Sequence, residues 1–215
     1  MCRPNLCVFF DRVWAAPAPK LYPVSTALGL FLRSDQDINI SSGSQAGSIA
    51  FTNYSLNSNG YLFGTRPAFT NTETITLSGL FVNSATNYYD DNNVIIGYIN
   101  TSHNTNAYLT QQPDPITTLA IGASAPIGVM DILIGTTFGT GAADGSTTYS
   151  YSLVDGTNAS YAIFNLVATF NDNSNAPIGS ITYKWNIPDS GGAATFVSLG
   201  IYVPQSSIDL TFTPT

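Results

Sequence analysis

Ile181-Thr182-Tyr183-Lys184-Trp185-Asn186-Ile187 places an apolar residue at every odd position and a polar one at every even position. This is the period-2 pattern of a strand with one face buried. Working outward, Pro188 to Gly192 forms a turn. Val197, Leu199, Ile201 and Val203 then alternate with Ser198, Gly200 and Tyr202, and after Pro204 the residues Ile208, Leu210 and Phe212 alternate with Asp209, Thr211 and Thr213. Upstream, Phe164, Leu166, Ala168 and Phe170 share one face of a strand that ends in the turn cluster Asn171 to Ala176. Consecutive half-buried strands need an opposing apolar surface. A second sheet is the expected source, so the sequence predicts an all-β, two-sheet antiparallel β-sandwich, most simply a single jelly roll.

Earlier in the chain the signals are weaker. Ile38 and Ile40 mark one strand, Ile49, Phe51 and Tyr54 another, and Asn57-Ser58-Asn59-Gly60 carries an Asn-Gly hairpin signal. Glu73 to Val82 reads as one central strand, Asn83 to Asn93 as a polar loop and Val94 to Ile99 as a short apolar run. Residues 100–128 read as a long excursion with one weak strand near Ile116 to Ile121. Val129 to Phe138 resumes the sheet, Gly139 to Gly145 turns, and Thr147 to Val154 leads into the hairpin signal Asp155-Gly156. The pattern predicts nine to eleven strands, no helix longer than a turn or two, and no internal repeat.

Residues 1–36 have a composition of their own. Pro4, Pro17, Pro19 and Pro23 punctuate apolar anchors, which predicts an extended N-terminal arm ahead of a β-sandwich domain over residues 37–215. Phe9, Phe10, Trp14, Leu30 and Phe31 on that arm are candidate subunit contacts. Tyr88 and Tyr89 in the polar loop are candidates for the same role or for stacking on sugars.

Of the 215 residues, 44% are hydrophobic but only 9% are charged, against roughly 25% in an ordinary soluble domain. The polar surface is therefore Ser, Thr and Asn. Arg3, Arg12, Lys20 and Arg33 oppose only Asp11 among the first 33 residues, whereas Arg66 and Lys184 face twelve acids in the remainder. An acidic body argues against nucleic-acid binding, which needs a basic face. Asp11 and Arg12 interrupt the apolar run Leu6 to Phe10 too soon for a signal-peptide core, so an unprocessed terminus is expected. No run approaches 18 apolar residues.

Catalytic and cofactor motifs are sparse. His103 is the single histidine, and no Gly-x-Ser-x-Gly elbow accompanies it. Cys2 and Cys7 lie together at the N-terminus without the partners a zinc set requires. Asp90-Asp91-Asn92-Asn93 lines up oxygen ligands, but Glu73 is the only glutamate and no EF-hand spacing exists. Two carboxylates at glycosidase separation would have to pair Glu73 with an aspartate. The expectation is a protein without enzymatic activity, metal or cofactor. Four Asn-x-Ser sequons, at Asn39, Asn53, Asn100 and Asn158, accompany the Asn- and Ser-rich composition.

The strand pattern over residues 37–213, the charge-poor acidic composition and the apolar arm together resemble the single jelly-roll capsid proteins of large double-stranded DNA viruses, the penton or minor capsid class. That resemblance implies a structural virion protein in the capsid shell. It would assemble through its loops and arm with copies of itself, five at a vertex for a penton, and with other capsid proteins, without contacting nucleic acid. The alternatives are an extracellular filament or pilus subunit that assembles by strand donation, and a fibre-head module that binds host-surface glycans.

Overall fold

The computed structural model describes residues 18–57, 68–78, 81–111 and 113–215. Phe9, Phe10, Trp14, both cysteines and the turn expected at Asn59-Gly60 lie outside the described residues.

The strands that the alternation marks do form, but they close on themselves. In chain order the elements are β1 (Leu21–Tyr22), α1 (Val24–Leu32), β2 (Gln36–Ser42), β3 (Gln45–Asn57), β4 (Ala68–Leu77), β5 (Phe81–Tyr89), β6 (Ile95–Asn100) and β7 (Thr105–Leu109). They continue with β8 (Leu119–Ala120), β9 (Ser124–Ile134), β10 (Ala143–Asp155), β11 (Tyr161–Asn171), β12 (Pro177–Pro188), β13 (Thr195–Val203) and β14 (Ile208–Pro214). Twelve of the strands make one closed antiparallel barrel in the ring order β2-β3-β4-β5-β6-β7-β9-β10-β11-β12-β13-β14, while β1 and β8 pair separately. Each barrel strand neighbours its chain neighbour except where β9 joins β7 and β14 meets β2, so this is an up-and-down meander.

The closed barrel overturns the expected two-sheet sandwich and jelly roll. The alternation was read correctly: Ile181, Tyr183, Trp185 and Ile187 face inward, as do Leu199, Ile201 and Phe212. The error lay in what they face, because a curled sheet supplies its own opposing wall. One inward position shifts: Trp185 pairs with Phe196 and Lys184 with Ser198, so Val197 is the extra residue of a β-bulge.

Two other expectations change. Glu73–Val82 is not one strand; β4 ends at Leu77 and pairs antiparallel with Phe81–Tyr89, which is β5 rather than the start of a loop. Residues 24–32, expected in an extended arm, are helical. Pro23 precedes the first helical residue, and its carbonyl accepts the amide of Ala27 at 3.0 Å. Val24, Ala27, Leu28, Phe31 and Leu32 then fall on one side of the helix at helical spacing. That side is the buried one: Phe31 packs edge-on to Phe51 at 5.4 Å and to Trp185 at 6.2 Å.

The helix caps one end of the barrel. Ser25 Oγ donates to the Asn92 carbonyl at 2.7 Å, the Asn93 amide donates to the Ser25 carbonyl at 3.1 Å, and the Ala194 amide donates to the Ala27 carbonyl at 2.9 Å. Those ties reach the β5–β6 turn and the β12–β13 loop, which share that end. Gly29 makes room for them, since a Cβ there would lie 2.6 Å from the Asn93 side-chain nitrogen. Asn93 itself sits at φ +60°, a conformation asparagine enters more readily than most residues, and its Oδ1 accepts the Tyr54 hydroxyl at 3.0 Å.

The outer wall is Ser- and Thr-rich: Thr72, Thr74 and Thr76 on β4, Thr148, Ser150 and Ser152 on β10, and Thr211 and Thr213 on β14 point away from the lumen. A lipid-facing barrel instead carries an apolar band on its outer face. Among the described residues no helix is long and apolar enough to cross a membrane.

Candidate ligand-binding lumen

An eight-stranded barrel is just wide enough for its own side chains to fill it, and diameter grows with strand number. Twelve strands therefore leave space. A cavity of about 700 Å³ runs inside the barrel, within the range of small-molecule pockets. Val24, Leu28 and Leu32 of the cap form its floor, and Asn83, Asn100, His103, Asn171 and Ile178 line it near the opposite end. There no α-helix covers the turns after β6 and β11, and His103 and Ile178 are exposed.

The lumen has two unlike walls. On β11 and β12, Phe164, Leu166, Ala168, Phe170, Ile181 and Trp185 make an apolar wall. Leu166, Phe170 and Ile181 keep partial exposure because they face open space rather than packed neighbours. On β4 to β6, almost opposite in the ring, Glu73, Asn83, Asn87, Tyr89, Tyr98 and Asn100 make a polar wall.

Glu73 is the centre of that polar wall. It is 7% exposed and shares the inward face of β4 with Ile75 and Leu77. The Tyr183 hydroxyl donates to its Oε1 at 2.7 Å, and the Asn87 amide approaches Oε2 at 3.5 Å. Tyr183 belongs to β12, so this bond spans the lumen rather than following a ladder. Burial pushes the Glu73 carboxyl up to about 7, against the lowering effect of the two hydrogen bonds. Burial also raises the hydroxyls of Tyr89, Tyr98, Tyr149 and Tyr183, with the Glu73 charge adding to the effect at Tyr89, Tyr149 and Tyr183. These four phenols stay neutral in the lumen.

Asn71, two residues before Glu73 on the same face, is 1% exposed, and neither of its amide atoms has a hydrogen-bond partner. The Tyr89 hydroxyl is close enough to Asn71 to sense it. The pair nevertheless lacks hydrogen-bond geometry.

The expected contact residues scatter. Phe31 and Tyr89 are buried at the cap and in the lumen, Leu30 is 42% exposed on the outer side of α1, and Tyr88 packs outside the barrel against Phe138 at 5.0 Å. Tyr88 and Tyr89 thus lie on opposite faces of β5. His103 sits at the open end, its backbone amide bonded to Asn100 Oδ1 at 3.0 Å. In the Asp90–Asn93 segment, Asp90 Oδ1 accepts the amides of Asn92 and Val94, both at 2.9 Å, forming a self-bonded turn. Among the described residues no cluster of three His, Cys, Asp or Glu side chains could hold a metal ion. The sequence reading passed over Glu73, Asn71 and Asn87 as a group. The available signal was the lone glutamate standing in phase with Ile75 and Leu77.

Comparison with protein-family models, with curated proteins and with solved structures finds no match for this chain.

Proposed function

We propose that this protein binds an apolar or amphipathic small molecule inside its barrel. The observation that carries the reading is the cavity of about 700 Å³, floored by an apolar helix and lined along one side by Phe164, Leu166, Ala168 and Ile181. Burying apolar ligand surface there gains roughly 25 cal/mol per Å², and a cavity already formed requires little reorganisation. Titration of the purified protein with N-phenyl-1-naphthylamine, a fluorophore that brightens in apolar surroundings, tests it. Saturable one-to-one uptake is expected in the native protein, with loss in Ala168→Trp or Leu166→Trp, each checked for folding by circular dichroism. Absence of saturable uptake, or uptake unchanged in both filled variants, overturns the reading.

The outer wall favours a second reading, a structural assembly subunit of the kind the sequence resemblance implies. Ser and Thr faces let subunits pack without burying ions, and Val154, Tyr161 and Ile121 add exposed apolar surface near the capped end. Because every barrel strand is paired on both sides, such contacts would run through faces and loops rather than strand edges. Sedimentation velocity over a wide concentration range distinguishes the readings: discrete higher species support assembly, and a monomer throughout counts against it.

A further inference from the structure

We propose that the ligand is an amphipathic amine, its single ammonium group seated at Glu73 and its apolar tail lying along the β11–β12 wall. This rests on the reading of the lumen as a ligand cavity, and deepens it by naming the head group.

The first argument is that no cationic side chain among the described residues meets Glu73. A carboxyl group 7% exposed normally has a cationic partner or dense hydrogen bonding. The basic side chains of the described residues are all engaged or placed elsewhere. Lys20 pairs with Asp189, Arg33 lies over the rings of Tyr54 and Phe69, and Lys184 stands on the outward positions of β12. Glu73 is left with the Tyr183 hydroxyl on one oxygen and a 3.5 Å approach from Asn87 on the other, so Oε2 retains acceptor capacity toward the lumen.

The second argument is the surroundings. Tyr89, Tyr149 and Tyr183 line the cavity close enough to feel the carboxyl's charge, and Tyr98, Phe164 and Trp185 line it too. Neutral aromatic faces around an acid attract a desolvated cation through the ring quadrupole. The third is Asn87, which lines the cavity and whose side chain reaches Glu73 Oε2 at 3.5 Å. An ammonium carries three donors and no acceptor, which suits Glu73 Oε2 and the side-chain oxygen of Asn87, both on cavity-lining residues. A carboxylate head would repel Glu73. A hydroxyl head would leave the acid unpaired.

Isothermal titration at pH 7.5 with decylamine, 1-decanol and decanoate, each below its micelle concentration, tests this. Decylamine is expected to bind at least tenfold more tightly than decanol, and decanoate more weakly than both. Glu73→Gln should abolish the amine preference while leaving decanol affinity within twofold. In the native protein, lowering pH from 8 to 6 should weaken decylamine and spare decanol, because protonating Glu73 removes the charge the amine needs. The phenols facing Glu73 do not titrate in that window. Asp144 and His103 line the lumen nearer the mouth, so His103→Ala should keep the pH dependence. Equal affinity for amine and alcohol, or an amine preference that survives in Glu73→Gln, overturns the assignment while the cavity reading stands. Failure of every probe to bind overturns both. The native pH series requires no variant, so a flat decylamine profile counts against the proposal even if Glu73→Gln fails to fold.

Discussion

The two ends of the barrel are built differently. At the capped end α1 buries Phe31 between Phe51 and Trp185, and Ser25, Asn93 and Ala194 tie the helix to two separate loops. At the open end no α-helix lies across the barrel: the turns bond to one another, the Gly135 amide to the Asn104 carbonyl at 2.7 Å and the Ser84 amide to Ser102 Oγ at 2.9 Å, and His103 and Ile178 line the cavity while remaining exposed. Burial and cross-element bonds at one end hold the ring in shape. The other end has bonds between its turns but no apolar helix across the lumen, which leaves a way in. A barrel twelve strands wide cannot fill its own centre, so fixing one end firmly allows the other to stay open.

The sharpest way to break this contrast is to remove the aromatic plug. Phe31→Ala should lower stability by about 3–5 kcal/mol, the range for truncating a buried phenylalanine. It would be read as a fall in the urea midpoint with an unchanged slope.

Between the ends, Glu73 makes stability depend on pH. Its folded value of about 7 lies above the ordinary glutamate value of 4.5, so below pH 4.5 the acid is protonated in both states and its contribution is fully present. As pH rises from 4.5 to 7 the unfolded chain releases the proton first, and stability falls by about 3 kcal/mol at 1.36 kcal/mol per unit. Urea midpoints across that window should decline in the native protein. The part of the decline due to Glu73 should vanish in Glu73→Gln.

A smaller effect should follow from Asn93→Ala. It removes the bonds to Ser25 and Tyr54 and should cost about 1–3 kcal/mol, with faster amide exchange confined to α1 by hydrogen-exchange mass spectrometry. Smallest of all, His103→Ala at the mouth should change stability by less than about 0.5 kcal/mol. A large loss there would mean that the mouth is as integral to the fold as the cap.

Much of the fold was legible, residue by residue. The alternations at Ile181–Ile187 and Ile208–Phe212 correctly placed inward faces, because a half-buried strand has the same period in a sandwich or a barrel. For the same reason they could not reveal closure, which depends on β14 meeting β2 across most of the chain. β5 was hidden because an inward face that borders a cavity can be polar: Asn83 and Asn87 occupy positions where a packed core would demand apolar side chains. The helix was legible and was missed. Val24, Ala27, Leu28, Phe31 and Leu32 recur at i, i+3, i+4, i+7 and i+8 after Pro23, and the surrounding prolines drew attention away from that spacing. Glu73 stood in plain view as the chain's one glutamate, but its burial depends on Tyr183, 110 residues away.

The ring is completed where β14 meets β2, through Thr213↔Ser41 and Pro214↔Ile40 alone, with one further bond from the Thr215 amide to the Asn39 carbonyl at 3.1 Å. By contrast, β10 and β11 share ten paired positions. Proline has no amide hydrogen to give, so this junction works like the overlap of a key ring. It is the shortest overlap in the ring, where the fewest ladder bonds stand between a closed hoop and an open one.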